Sequence, residues 1–391
     1  MTERRRALGL VPGLALAAAI AVLATFLGAL VPVLGAPVFG IVIGAIIAAF
    51  LRKGGIVESG ARFAGKRILQ ASIIVLGTGL SLSQVARVGV ASLPVMLGTL
   101  AVALTGAWLL GNLLGVRGDI RTLIGVGTGI CGASAIAAVT AVIGAAEADV
   151  AYAIGTIFTF NVAAVLLFPA FGHLLGLSQH AFGLWAGTAI NDTSSVVAAS
   201  YTYGSVAGAY GIVVKLTRTI MIIPISLALS VFRARRASAP ETRRPVPGSL
   251  VAAPPVTASR VTAPPATAAS ESARPVTAQL VTAQPVADRL SGRSTRQPTS
   301  ARSLLRIVPL FILGFLAASA ADSLGVFPAS WHPGLSEAGV FLITVALSGI
   351  GLGTRLSTLK AAGSRPLLLG GLLWVLVGSA SLLLQLVTGK L

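Results

Sequence analysis

Apolar runs of about 20 residues, each long enough to cross a hydrocarbon layer of about 30 Å, recur along most of the chain between short polar or basic interruptions. They predict eleven segments, at residues 10–30, 37–51, 68–82, 94–114, 123–143, 150–175, 182–203, 212–232, 304–320, 339–352 and 367–387. Between the eighth and ninth the pattern lapses: residues 233–302 are rich in Pro, Ala, Thr and Arg, with Val-Thr-Ala triplets beginning at Val256, Val261, Val276 and Val281. Such a stretch has too little apolar surface to form a core. The expected organisation is an N-terminal membrane part, 1–232, a disordered basic cytoplasmic linker, 233–302, and a C-terminal membrane part, 303–391.

Composition fixes the class. With 55% hydrophobic and 10% charged residues, the chain reads as an all-α polytopic membrane protein and not as a soluble domain. A formal net charge of +18 invites a nucleic-acid partner, but the basic residues cluster between apolar runs and in the linker, as the positive-inside rule describes. Arg4, Arg5 and Arg6 precede the first run and place the N-terminus in the cytoplasm, together with Arg52, Lys53, Arg62, Lys66, Arg67, Arg117, Arg121, Arg355, Lys360 and Arg365. The first run is longer than a signal-peptide core and lacks a small-x-small cleavage site, so it reads as a span. The linker carries eleven Arg against Glu241, Glu271 and Asp288; an uninvolved basic tether is a simpler reading than a membrane-surface role. Cys131 is the only cysteine, which excludes an internal disulfide and a cysteine-based metal site.

Two internal repeats organise the segments. Pro37/Pro309, Gly77/Gly349, Gly79/Gly351, Leu80/Leu352 and Pro94/Pro366 all stand 272 residues apart, so 303–391 repeats 37–115. At an offset of 60, Gly-Thr-Gly-Ile-Cys-Gly-Ala-Ser from Gly127 lies over Gly-Thr-Ala-Ile-Asn-Asp-Thr-Ser from Gly187. Eleven full crossings would make the first repeat inverted and the second parallel, which one pseudo-two-fold axis cannot produce. If the fifth and seventh segments are re-entrant or broken helices, about nine helices span and both repeats become inverted, as in many secondary transporters. Eleven spans is the alternative.

The twin stretches are also where chemistry is expected, because irregular backbone at membrane depth is tolerated only inside protein or along a cavity. Half-helix N-termini there attract anions and the opposing carbonyls attract cations. Asp192 is a carboxylate between apolar flanks, and an intramembrane charge marks function by default. Lys215 and Arg218, three residues apart in the next segment, share a helix face. Lys215 sits near enough to the predicted helix start to snorkel outward; Arg218 is too deep for that. Two cations against one carboxylate suit an anionic substrate. Asn161 in the sixth segment is expected to face the cavity or bond a neighbouring helix. His173, His180 and His332 lie in predicted external loops without metal-ligand spacing, and no nucleophile-and-base motif suggests an enzyme. No cofactor is implied.

Cys131-Gly132-Ala133-Ser134-Ala135-Ile136-Ala137-Ala138, Trp185-Ala186-Gly187, Asp192-Thr193-Ser194 with Val196-Val197-Ala198-Ala199, and Lys215-Leu216-Thr217-Arg218 resemble the YeiH-like sulfate exporter family of bacterial inner-membrane proteins. The resemblance covers most of the chain outside the linker and implies export of sulfate or a related sulfonate across that membrane. A common family form has His before the Asp; Asn191 stands here, which weakens a proton-relay role at that position.

Together these readings give a secondary transporter. Gly129, Cys131, Gly132, Ser134, Asn191, Thr193, Ser194, Lys215 and Arg218 bind the anion, and Asp192 and Asn161 serve coupling. The expected partners are the small anionic substrate, the lipid bilayer and a coupling proton or sodium ion; a homodimer is compatible with the sequence and nucleic acid is not. The rivals are a cation/proton antiporter of related architecture and a membrane scaffold or receptor that uses the basic linker.

Overall fold

The computed structural model describes residues 2–31, 35–51, 57–237, 310–353 and 364–391. The predicted linker beyond Ala237, the start of the ninth segment up to residue 309, and Arg52, Lys53, Arg355 and Lys360 lie outside the described residues.

All regular structure among the described residues is helical, as the apolar runs require, since a backbone in hydrocarbon must satisfy its own polar groups. In order the helices are α1 (Thr2–Leu30), α2 (Gly35–Phe50), α3 (Val57–Phe63), a π turn (Ala64–Ile68), α4 (Leu69–Gly77), α5 (Leu82–Leu113), α6 (Asp119–Gly129) and α7 (Ala133–Ile143). There follow α8 (Glu147–Leu174), α9 (Gln179–Ala189), α10 (Thr193–Tyr203), α11 (Ser205–Ile220), α12 (Ile222–Ala237), α13 (Leu310–Ser323), α14 (His332–Gly353) and α15 (Ser364–Val387). Among the described residues six helical stretches are long and apolar enough to cross a membrane, and α2, α7 and α13 are shorter apolar helices.

Several helices start earlier than hydropathy predicts, because their ends are polar. The third predicted segment, 68–82, is preceded in the structure by α3 and the π turn, which carry Arg62, Lys66 and Arg67, and it stops at Gly77. Helix α5 starts at Leu82 rather than at residue 94, where Ser81 and Gln84 form a reciprocal capping box. Helix α11 starts at Ser205, not at residue 212, so Lys215 lies well inside it and is wholly buried rather than snorkelling outward. Helix α12 continues to Ala237, past the predicted linker start at Arg233.

Close packing depends on small residues where two helices touch backbone to backbone. A Cβ on Gly44 of α2 would stand 2.5 Å from the Ser348 carbonyl of α14, and one on Gly351 would stand 2.4 Å from the Ile41 carbonyl. Helix α5 lies against α15, and α2 against α14. The offset of 272 residues brings α5 into correspondence with α15, whereas it relates α2 to α13 and α14 to the stretch from α3 to α4.

Candidate functional site

The twin stretches are both breaks in helices. Helix α6 ends at Gly129, the chain leaves helical geometry at Ile130 (φ −122°, ψ −92°), and α7 begins after Gly132. Helix α9 ends at Ala189, Ile190 is extended, and α10 begins after Asp192. Each half has 11 residues, about 16 Å of helix, or roughly half of the hydrocarbon layer.

The α9–α10 pair doubles back. Phe182 near the start of α9 and Tyr203 at the end of α10 stack with ring centroids 3.9 Å apart. The Gln179 side-chain oxygen accepts from the amides of Val206 (3.0 Å) and Ala207 (3.2 Å) just beyond α10. A single crossing would hold those ends about 30 Å apart. Helices α6 and α7 also fold against each other, since a Cβ on Gly127 would meet Ile136 Cδ1 at 3.0 Å.

The two tips meet at α11. Lys215 Nζ donates to the carbonyl of Ile130 (2.9 Å) and to that of Ile190 (2.7 Å). Arg218 donates from Nε to Gly129 (2.6 Å), from one terminal nitrogen to Thr128 (3.0 Å) and from the other to Thr188. Both side chains are 0% exposed. The two cations therefore sit on the C-terminal ends of α6 and α9, where unsatisfied carbonyls carry about half a negative charge per helix. Their desolvation would be costly alone; five charge-assisted hydrogen bonds offset it.

The N-terminal ends of the two second halves, α7 and α10, are treated unequally. Asp192 caps α10: its Oδ2 accepts from the amides of Ser194 (3.0 Å) and Ser195 (3.3 Å) and from the Ser194 hydroxyl. Behind it, Asn161 Oδ1 accepts from the amides of Asn191 and Asp192, each at 3.2 Å. Helix α7 has no side-chain cap; Gly132 precedes it at φ 69°, a left-handed conformation that favours glycine. Asn191 is 1% exposed and its Oδ1 has no partner among the described residues, a buried acceptor of the kind that marks a functional or hydrated position.

A cavity of about 250 Å³ opens at these N-terminal ends, lined by Ala133, Asn161, Asp192, Ser194 and Ser195 and walled by apolar residues that include Phe158. Ligand cavities for larger molecules run from about 300 Å³ upward, so this one suits a small ion. The structure thus brings Asn161, Asp192 and Ser194 to the cavity, with Gly132 and Asn191 beside it. Gly129, Lys215 and Arg218 gather instead on the carbonyl side of the tips. Cys131 is packed in the core formed with Ile130 and Ile136, Ser134 is exposed on the first turn of α7, and Thr193 is half-buried.

Sequence reasoning missed Ser195, whose place three residues after a capping Asp was a legible signal. It also missed Thr128 and Thr188, which act through main-chain oxygens that residue type does not reveal. At the opposite end from Arg62 and Lys66, the structure gathers His180 and His332 on one cavity of about 420 Å³, with His332 Nε2 2.9 Å from Asp322 Oδ1.

The family model described as conserved hypothetical protein 698 matches residues 12–252 and 286–370. The chain belongs to that YeiH-like family. Among its relatives are UPF0324 membrane proteins from Streptococcus pyogenes, 36% identical over 382 residues and 97% of both chains, and from Clostridium tetani, 34% identical over 380 residues and again 97% of both. A third, from Streptococcus pneumoniae, is 36% identical over 95% of both chains. No solved structure matches. Membership of the YeiH-like family and the array of apolar helices identify a multi-pass membrane protein.

Proposed function

We propose that the chain is a secondary transporter that exports a small anion, sulfate-like or a small sulfonate, across the bacterial inner membrane. Its site is the cavity at the N-terminal ends of α7 and α10. The carrying observation is the charge balance at the crossing, where among the described residues two buried cations, Lys215 and Arg218, stand near a single carboxylate, Asp192. An intramembrane excess of one positive charge favours uptake of an anion, and the uncapped amides of α7 give it donors. Ser194 and Ser195 supply further polar groups.

In this reading about nine helices cross, and the α6–α7 and α9–α10 hairpins enter from opposite faces, related with the flanking helices by an inverted repeat. With the positive-inside rule, this reading puts the N-terminus and the Arg62 and Lys66 end on the cytoplasmic side. Asp192 couples transport to protons. Because Asp192 also caps α10, its protonation weakens one end of the hairpin, a local change that can bias motion of the hairpins against the surrounding bundle.

A second reading, the cation/proton antiporter, is favoured by one observation: the ionisable side chain on the cavity wall is Asp192, with its Oδ1 toward no protein donor among the described residues. Proteoliposomes separate the two. Saturable uptake of labelled sulfate, sulfite or a small sulfonate, without sodium or potassium flux, supports the anion reading; cation flux with no anion flux rejects it.

A further inference from the structure

The site cavity has a neighbour. A vestibule of about 430 Å³ is lined by Glu58, Arg62, Lys66 and Gly353 together with Gly65, Phe158 and Ile350, and these last three residues also line the site cavity. The two spaces adjoin at these residues, here called the neck. Ile350 packs directly on Gly65 there, since a Cβ on Gly65 would stand 2.8 Å from Ile350 Cγ1, so any larger residue would displace the Ile350 side chain.

The vestibule wall is built by the π turn Ala64–Ile68. Single π turns within helices recur at functional positions because they rotate one residue out of the α-helical register. Here the turn holds Gly65 in the neck and Lys66 on the vestibule wall. Arg62 is paired with Glu58 at 2.8 Å, whereas Lys66 has no ion-pair or hydrogen-bond partner among the described residues. Among the described residues that line it, two cations stand against one carboxylate, and a positive wall beside low-dielectric protein concentrates anions.

We propose that this vestibule is an anion-collecting port. Lys66 is its entry site, holding a small oxyanion before it passes Gly65, Phe158 and Ile350 to the hairpin tips. The inference rests on the functional reading for its substrate class, but its test does not require transport.

Val162 lines the site cavity and is replaced by Cys as a reporter, with Ser195→Cys as a second reporter should the first fail to fold. Cys131, 3% exposed, sets the background in the wild type. Two membrane-impermeant methanethiosulfonates of similar size are applied to inside-out vesicles and to intact cells, one carrying a sulfonate and one a trimethylammonium group.

The expected result is labelling from the cytoplasmic face, with Lys66→Gln slowing the sulfonate reagent about threefold at low ionic strength and leaving the cationic one unchanged or faster. High salt should erase the difference. Gly65→Leu should slow both reagents alike. Equal effects of Lys66→Gln on both reagents, no effect on either, or labelling only from outside would overturn the port. Charge-selective labelling in a protein that moves no anion keeps the port and sinks the transporter reading; anion flux with no Lys66 effect does the reverse.

Discussion

Replacing Lys215 by Met tests how the two hairpins are held together. The side chain is roughly isosteric and stays apolar along its length, so packing in α11 is largely kept while the ammonium is lost. That leaves the carbonyls of Ile130 and Ile190 without their donor at a fully buried position. Two orphaned buried acceptors cost about 1–3 kcal/mol each. Relief from desolvating a cation returns part of this, leaving a net loss of about 2–4 kcal/mol. Arg218 compensates little, since its own donors are engaged with Thr128, Gly129 and Thr188. The assay is thermal unfolding of purified protein in detergent beside Arg87→Met, which alters an exposed arginine and should change stability by no more than about 0.5 kcal/mol. Lys215→Met should melt clearly below both the wild type and that control. Melting together with them would refute the assignment of Lys215 as the joint cap of α6 and α9.

Three further outcomes follow from the geometry. Arg218→Lys keeps the charge but not the fork that reaches carbonyls on both hairpins, so transport should fall at least tenfold and stability by about 2 kcal/mol or more, read by flux and melting. Gly132→Ala places a side chain at φ 69° and should cost about 1–2 kcal/mol through backbone strain, because its Cβ would meet Ile157 Cγ2 at an ordinary 3.4 Å; equal melting of variant and wild type would contradict the strain. Deleting residues 238–300 should leave flux intact in proteoliposomes, whereas a scaffold acting through the linker would lose its function.

The sequence made the broken helices legible because Gly, Asn, Asp and Ser stand where a lipid-facing helix would carry Leu or Val, and the offset of 60 residues located both breaks at once. Gly132 and Asp192, the paired positions in that offset, are the residues that precede α7 and α10. What residue identity could not reveal was which pole of each half-helix the cations serve. Lys215 and Arg218 read as counter-charges for a substrate, and in the structure their donors go to main-chain oxygens. Asn161 was legible only as a buried polar group; its task of holding the amides of Asn191 and Asp192 comes from tertiary placement. The π turn at Ala64–Ile68 leaves no mark in hydropathy, so the vestibule it shapes was outside the reach of periodicity.

The central claim joins an anion site to a coupling carboxylate, and sulfate flux under an imposed pH gradient tests both in one preparation. Wild-type proteoliposomes should show saturable sulfate movement that follows the gradient. In Asp192→Asn, which can still accept the amides of Ser194 and Ser195 but carries no titrating charge, the gradient should no longer drive it. No sulfate flux above empty liposomes, or an Asp192→Asn protein as strongly driven by the gradient as the wild type, would contradict the account.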